Sequence, residues 1–371
     1  MLPYHELHAP YVAGSGLAAV LAWALLRRLT PLPRLLTAMA AIAVLCGLSA
    51  IEFPEFLDFR DARGFAVISI TFYADGLWLP LLALVHLVRS RREAPPRGRL
   101  VAALSLAAIG VSLWAMLVEP NRVGFREETV VVPGWPADAE PFVLVHVSDL
   151  QSVGECERER RALERINAYE PDLVVVTGDY MAGPFWDPVP GIDAARTFLT
   201  GLRARHGVLG VAGHAEPAPM RDRIFDGLEA RYLRDAWHDL ELEDGRALEI
   251  CALEVHHPDL ALLDRPVRPG AVRLVASHVP DVSRELDGRG VLLHLAGHTH
   301  GGQIALPLVG PPLTLSELPR AYARGLHRFG DHLLNVCAGL GMEGNHAPRI
   351  RFLCPPEVCV IRLVGSPAGS G

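Results

Sequence analysis

Hydrophobic positions along the chain fall into two regimes. Over the first 120 residues they gather into four long runs, at about 9–26, 35–51, 65–88 and 100–118. Beyond residue 140 they shorten to bursts of five or six, separated by amphipathic stretches. Each early run approaches the roughly 20 residues that cross about 30 Å of hydrocarbon as a helix. None shows an amphipathic polar face, and arginines cluster between them, so the pattern predicts an all-α region of four transmembrane helices. Gly76 and Pro80 predict only a kink in the third.

The later bursts read as strands: 142–147, 173–177, 208–212, 272–276 and 291–295, rich in Val and Leu and free of internal Pro. Stretches 155–169, 193–205 and 222–232 read as helices between them. Such alternation predicts an α/β domain built from βαβ units. Between the two regimes, 119–140 turns polar and carries Pro120, Pro133, Gly134 and Pro136, a linker with an edge strand at 129–132. The expected organisation is a membrane anchor over 1–120, linker and edge strand over 121–140, and a catalytic domain over 141–371.

Composition sharpens the membrane reading. The 371 residues are 50% hydrophobic, a length that allows two or three domains. Arg27, Arg28 and Arg34 lie between runs one and two, and Arg89, Arg91, Arg92, Arg97 and Arg99 between runs three and four. The second connection instead carries Glu52, Glu55, Asp58 and Asp61 against Arg60 and Arg63. The positive-inside tendency makes the first and third connections cytoplasmic and sends everything after Val118 outward, to the periplasmic or extracellular side of a plasma membrane. No basic segment precedes the first run, so that run is expected to stay as an anchor. Asp75, in the third run, is the one acid at membrane depth, either a polar pivot or the partner of a neighbouring helix. The net charge of −7 says little about partners, and no nucleic-acid motif or internal repeat is present.

The residues directly after each predicted strand carry the chemistry. The five bursts end in Ser148-Asp149-Leu150-Gln151, Gly178-Asp179, Gly213-His214-Ala215-Glu216, Ser277-His278 and Gly297-His298-Thr299-His300-Gly301-Gly302-Gln303. In open α/β sheets, ligands gather beyond the carboxyl ends of strands, so these side chains can meet at one rim. Singly, each would serve as a cap, a turn residue or a core histidine. Together, Asp149, Gln151, Asp179, His214, His278, His298 and His300 make a dinuclear metal site. Mixed carboxylate and imidazole donors suit Mn, Fe, Zn or Co better than Mg or Ca.

The order Asp-x-His, Gly-Asp, Gly-Asn-His, His, Gly-His-x-His is that of the calcineurin-like metallophosphoesterase superfamily, and this chain resembles its membrane-anchored bacterial branch. The resemblance covers roughly 142–363. Its most specific parts are Gly297 to Pro307 and the tail holding Gly339-Leu340-Gly341, Arg349 to Phe352 and Cys354-Pro355-Pro356-Glu357-Val358. It implies two packed β-sheets flanked by helices, with two divalent metal ions at the strand ends. Position by position, Asp149, Asp179 and His300 would hold one ion, and Asp179 would bridge to a second held by His278 and His298. The pair would clamp a phosphate and make hydroxide available near neutral pH for in-line attack.

Two motifs depart from that pattern. Gln151 stands where the family has a histidine, a weaker donor for a transition metal. Gly213-His214-Ala215 stands for Gly-Asn-His. One alignment makes His214 a ligand and puts Ala215 in place of the histidine that helps the leaving group depart; a shift of one residue would keep His214 as that acid. Without the acid, good leaving groups such as phosphoanhydrides should be cleaved better than alkyl esters. Glu216, His256 and His257 are candidate substitutes.

Cys46 lies in a membrane run, and Cys156, Cys251, Cys337, Cys354 and Cys359 in the later domain, with Cys354 and Cys359 the nearest pair for a disulfide. The expected activity is a membrane-tethered, metal-dependent hydrolase of a small phosphoester or a lipid-linked phosphate. The alternative is a degenerate member that keeps the fold as a binding scaffold, which Gln151 and Ala215 favour and the five remaining ligands oppose.

Overall fold

The computed structural model describes residues 4–29, 31–52, 62–89, 96–182, 188–344 and 347–366. The chain divides into two units, one of residues 2–118 with 343–350, the other of 119–342 with 351–371. The connections that carry Glu55, Asp58, Asp61, Arg91 and Arg92 lie outside the described residues, as does the side chain of Cys46.

The regular elements described in the first unit are helices: α1 (Tyr4–Leu25), α2 (Pro31–Glu52), α3 (Ala62–Tyr73), α4 (Leu79–Arg89) and α5 (Pro96–Leu113). Between α3 and α4 the Gly76–Pro80 region forms a π-helical turn, Ala74–Trp78, rather than a simple kink. Pro80 has no N–H for the ordinary helical bond, and a widened turn absorbs the mismatch. Small residues Ala19, Ala38, Ala74 and Ala83 are fully buried where the helices meet, which allows close backbone approach. Outward, Leu17, Leu25, Val88, Leu106 and Leu117 are exposed. Two stretches are long and apolar enough to cross a membrane, Ile68–Arg89 with 22 residues and Gly98–Asn121 with 24. Four were expected. The other two helices contribute only Pro10–Leu25 and Pro31–Ile42 as apolar segments among the described residues, shorter than a span requires. Asp75 lies in the π turn, and its Oδ1 is buried without a hydrogen-bond partner among the described residues.

The second unit packs two six-stranded mixed sheets face to face. One has the order β1-β12-β2-β3-β4-β5, the other β10-β11-β9-β8-β7-β6. In the first, β2 (Phe142–Val147), β3 (Leu173–Val176), β4 (Val208–Val211) and β5 (Arg231–Leu233) run parallel, while β12 (Glu357–Gly365) pairs antiparallel to β2 and parallel to the edge strand β1 (Gly124–Val132). In the second, β7 (Ala247–Ala252), β8 (Ala271–Ala276), β9 (Val291–Ala296) and β11 (His332–Val336) are parallel, closed at the edges by antiparallel β6 (Ala236–Glu241) and β10 (Gly325–Phe329).

Burial on both faces explains why the central strands read as unbroken apolar runs. Leu144, Leu173, Val175, Leu274 and Leu293 point between the sheets. Their neighbours Val145, Val174 and Val176 face the layer of α6 (Glu157–Ala168), α7 (Val189–Gly201) and α8 (Ala218–Phe225). Strands covered in this way lose the alternation that marks a half-buried strand. Each fully buried Val or Leu contributes about 1.5–3 kcal/mol, enough to fix register.

The helix expected over 222–232 is a correction. It is α8 followed by β5, because Gly227 at φ +70° ends the helical path and Arg231–Leu233 pairs with β4. The edge strand expected at 129–132 is part of β1, which begins earlier, at Gly124, and pairs along its whole length with β12.

Candidate metal centre

The carboxyl ends of β2, β3 and β4 lie side by side in one sheet, and those of β8 and β9 in the other. The loops leaving these five strands bring all seven candidate ligands to one place. Asp149 follows β2 and its carboxylate accepts the His298 N–H at 3.0 Å, a bond between loops of opposite sheets. Asp149 Oδ1 stands 3.4 Å from His300 Nε2 and 3.9 Å from His278 Nε2. Asp179 Oδ2 stands 3.4 Å from His278 Nε2 and 3.3 Å from the Gln151 amide nitrogen, which in turn lies 3.2 Å from His300 Nε2. The His214 ring lies 5.2 Å from that of His278 and 4.8 Å from that of His298.

Backbone conformation at this rim is costly. Asp149, Gln151, Asp179, His298 and His300 all adopt positive φ, between 40° and 68°. For residues with a Cβ such conformations cost on the order of 1–3 kcal/mol each and persist where function demands them. Close approach demands glycine nearby. A Cβ on Gly213 would collide with the backbone nitrogen and carboxylate of Asp179, and one on Gly297 with Ser148 Oγ and Asp149 Oδ2.

Two of the imidazoles are oriented from behind. His278 Nδ1 donates to the Thr177 carbonyl at 2.7 Å, which turns Nε2 toward the carboxylates; that atom is buried and has no hydrogen-bond partner among the described residues. His298 Nε2 donates to the Leu315 carbonyl at 2.9 Å, which leaves Nδ1 as the ring's acceptor. This is the arrangement in which metal-binding histidines are held. Asp179 Oδ1 is occupied by the N–H groups of His214 and Ala215 at 2.6 and 2.8 Å, so Oδ2 is the oxygen turned inward.

The electrostatics of the rim suit a divalent cation. Burial pushes the Asp149 carboxyl up to about 6. Burial alone would lower His278, but Asp179 and Asp149 outweigh it and raise the imidazole to about 10. Burial lowers His214 to about 3 and drives His300 well below its usual range, so both are neutral and able to donate a lone pair. One donor atom each from Asp149, Asp179 and His278 lies within 4.8 Å of the others, and the same holds for His214, His278 and His298. The donors present fit divalent ions.

The candidate proton donors separate. The His256 ring stacks edgewise on His214 at 5.1 Å between centroids. Glu216 is buried, accepts the Tyr180 N–H at 3.2 Å through Oε2, has no partner at Oε1 among the described residues, and is pushed up to about 8 by burial and by Asp179. His257 donates its backbone N–H to Glu254. The sequence alone gives Arg351 no role. Fully buried, it donates to the carbonyls of His300 at 2.7 Å and Ala338 at 2.8 Å, also contacts Gly339 and Gly341, and so holds the loop behind His300. The tail motif finds its reason in Glu357, buried and bound by Arg126 and Arg324. Cys354 and Cys359 are not bonded to each other, and both thiols are free. Cys354 Sγ donates to the His300 and Gly301 carbonyls, whereas Cys359 lies beside Cys337 and His146.

No family model matches the chain. It is 30% identical over 272 residues to the uncharacterized metallophosphoesterase YkuE of Bacillus subtilis, a match covering 71% of this chain and 93% of that protein. It is 36% identical over 318 residues to the UDP-2,3-diacylglucosamine pyrophosphatase LpxG of Chlamydia trachomatis, covering 69% and 93%. A shorter match, 39% identical over 92 residues, joins it to the phosphodiesterase YaeI of Escherichia coli, covering 25% and 32%. Likeness along nearly the whole of YkuE, in a chain whose carboxylates and imidazoles converge beyond five strands of a two-sheet fold, makes this protein a member of the calcineurin-like metallophosphoesterases, a metal-dependent hydrolase of phosphoester bonds.

Proposed function

We propose that Asp149, Gln151, Asp179 and His300 hold one divalent ion and that Asp179, His214, His278 and His298 hold a second, with Mn, Fe, Zn or Co preferred over Mg or Ca. One observation carries this reading: seven donors from five separate loops converge on one rim, five of them held in left-handed backbone conformations. A binding scaffold has no use for such strain. When bound, the ions supply Lewis acidity and make water acidic enough to attack phosphorus near neutral pH. The chain's own part is to orient donors: Thr177 and Leu315 fix the two imidazole tautomers, and the backbone of His214 and Ala215 fixes Asp179. Turning the Gln151 amide over exchanges its nitrogen and oxygen in place and offers the oxygen as a donor.

His214 serves as a ligand in this reading, because its ring packs on two other imidazoles of the site. Ala215 then leaves no histidine to protonate the leaving group, and the favoured substrates have leaving groups that depart unaided, phosphoanhydrides before alkyl monoesters. The pyrophosphatase named among the relatives acts on a diacylated sugar nucleotide. A lipid-linked pyrophosphate therefore fits both the chemistry and the apolar helices. The positive-inside tendency of Arg89, Arg91, Arg92, Arg97 and Arg99, around the connection between the two candidate spans, supports a cytoplasmic connection and a hydrolase unit on the opposite side.

Elemental analysis of the purified chain, with hydrolysis of a nucleotide diphosphate ester and of an alkyl phosphate, tests the proposal. Near two ions per chain and faster anhydride cleavage are expected. A chain that binds no manganese or zinc would refute the site, and equal turnover of both esters would refute the substrate class.

A further inference from the structure

The hydrolase unit displays a turn that its own fold does not explain. Residues 304–316 contain no charged side chain, although they lie on the surface of a strongly charged domain. Within them Leu306 and Gly310 close a tight turn through paired backbone bonds of 2.9 Å. On its tip Leu308 is 108% exposed and sits at φ +67°, Val309 is 61% exposed and Leu306 41%. A single exposed leucine means little. Three large apolar side chains on a rigid turn, one in a conformation unfavourable for leucine, mark a surface meant to be covered.

Where the turn sits identifies the cover. Ile304 bridges Phe352, and Ala305 N–H donates to the Phe352 carbonyl at 2.8 Å. The next residue, Leu353, is 51% exposed at positive φ. Cys354 N–H then donates at 2.7 Å to the carboxylate of Glu119, which is buried at the end of the apolar stretch Gly98–Asn121. Exposed leucines are thus tied by a few hydrogen bonds to Glu119, near the end of a helical stretch long enough to cross a membrane.

We propose that the turn at 306–310, with Leu353, is a foot that inserts into the lipid bilayer and seats the metal centre at the membrane surface. Both ends of the loop reach the site: His300 precedes it, and the Leu315 carbonyl orients His298. Resting on the proposed hydrolase function, the foot assigns the substrate to amphiphiles whose phosphoryl group lies at the headgroup level and whose chains stay in the bilayer.

The test uses the full chain in vesicles of phosphatidylcholine and phosphatidylglycerol. With Cys46 and Cys156 changed to serine, Leu308→Cys carries a nitrobenzoxadiazole label, and Glu241→Cys, on the exposed strand β6, carries the same label as a control. Blue-shifted emission at 308 and at least threefold stronger quenching by doxyl-labelled lipid than at 241 are expected. Equal emission and quenching at the two positions would overturn the foot, whether a protein partner or a second copy covers the turn instead. A Leu308→Ser, Val309→Ser variant should lose at least tenfold in turnover of vesicle-borne CDP-diacylglycerol and stay within twofold on bis(p-nitrophenyl) phosphate. An equal fall on both would overturn its role in substrate choice. Quenching without turnover of either ester would sink the hydrolase reading alone, and turnover of both without quenching would sink the foot alone.

Discussion

The carbonyl of Thr177, just past β3 in one sheet, accepts a 2.7 Å hydrogen bond from His278 Nδ1, just past β8 in the other. One bond therefore ties the two sheets at their shared rim and fixes which nitrogen faces the carboxylates.

That geometry sets a proton count. With no metal bound, the carboxylates raise His278 to about 10, so the imidazole is charged at pH 7. Its folded value lies above the usual value of about 6.5, so the stability it lends the metal-free protein is fully present below about pH 6.5 and is lost as pH rises through about 10. Loading metal at pH 7 must expel this proton. Calorimetric titration with zinc in buffers of different ionisation enthalpy should report release of about one proton per chain from this group. A heat independent of buffer would contradict it.

In the proposed site Gln151 would make the first ion the weaker one. Its amide nitrogen already lies between Asp179 and His300, so an imidazole at this position has donors to join. Gln151→His should tighten binding of one of the two ions on the order of 10- to 100-fold, read by competition with a chelator. Unchanged affinity would mean that position 151 does not coordinate.

Ala215 should set the leaving-group preference. Its backbone N–H binds Asp179 Oδ1, and a histidine side chain there leaves that bond intact. Ala215→His should raise turnover of an alkyl phosphate by on the order of 10²-fold and leave anhydride turnover nearly unchanged. A parallel rise for both substrates would point to metal positioning instead of proton donation.

Gly213→Ala would force a methyl group into the Asp179 backbone. Overpacking of this kind costs about 1–3 kcal/mol, and the melting temperature should fall together with metal retention. Gly124→Ala, whose added methyl would meet only the Pro356 carbonyl at an ordinary 3.6 Å, should change stability by less than about 0.5 kcal/mol.

Arg351→Met should be the most damaging substitution away from the ligands. It would strand the carbonyls of His300, Ala338, Gly339 and Gly341 in a buried setting, a loss of about 3 kcal/mol or more. Thermal melting of the metal-free protein checks this, since the effect should appear before any ion is added.

By itself the sequence determined the strands β2, β3, β4, β8 and β9 and the residues directly after them, because side chains buried on both faces leave continuous apolar runs and the candidate ligands come next in the chain. It also exposed the two departures at Gln151 and Ala215. The edge strands β5, β6 and β10 were not legible, since a half-covered strand mixes polar and apolar residues and takes its structure from its partner, and β11, though buried, is interrupted by the polar His332 and Asn335. Only the tertiary structure decided that loops of two different sheets face one another, that five candidate ligands sit in strained left-handed conformations, and that Arg351 and the Leu315 carbonyl hold His300 and His298 in place. These are properties of contacts between residues far apart in the chain. A local pattern records what each segment can bury, and long-range packing alone settles which segments meet.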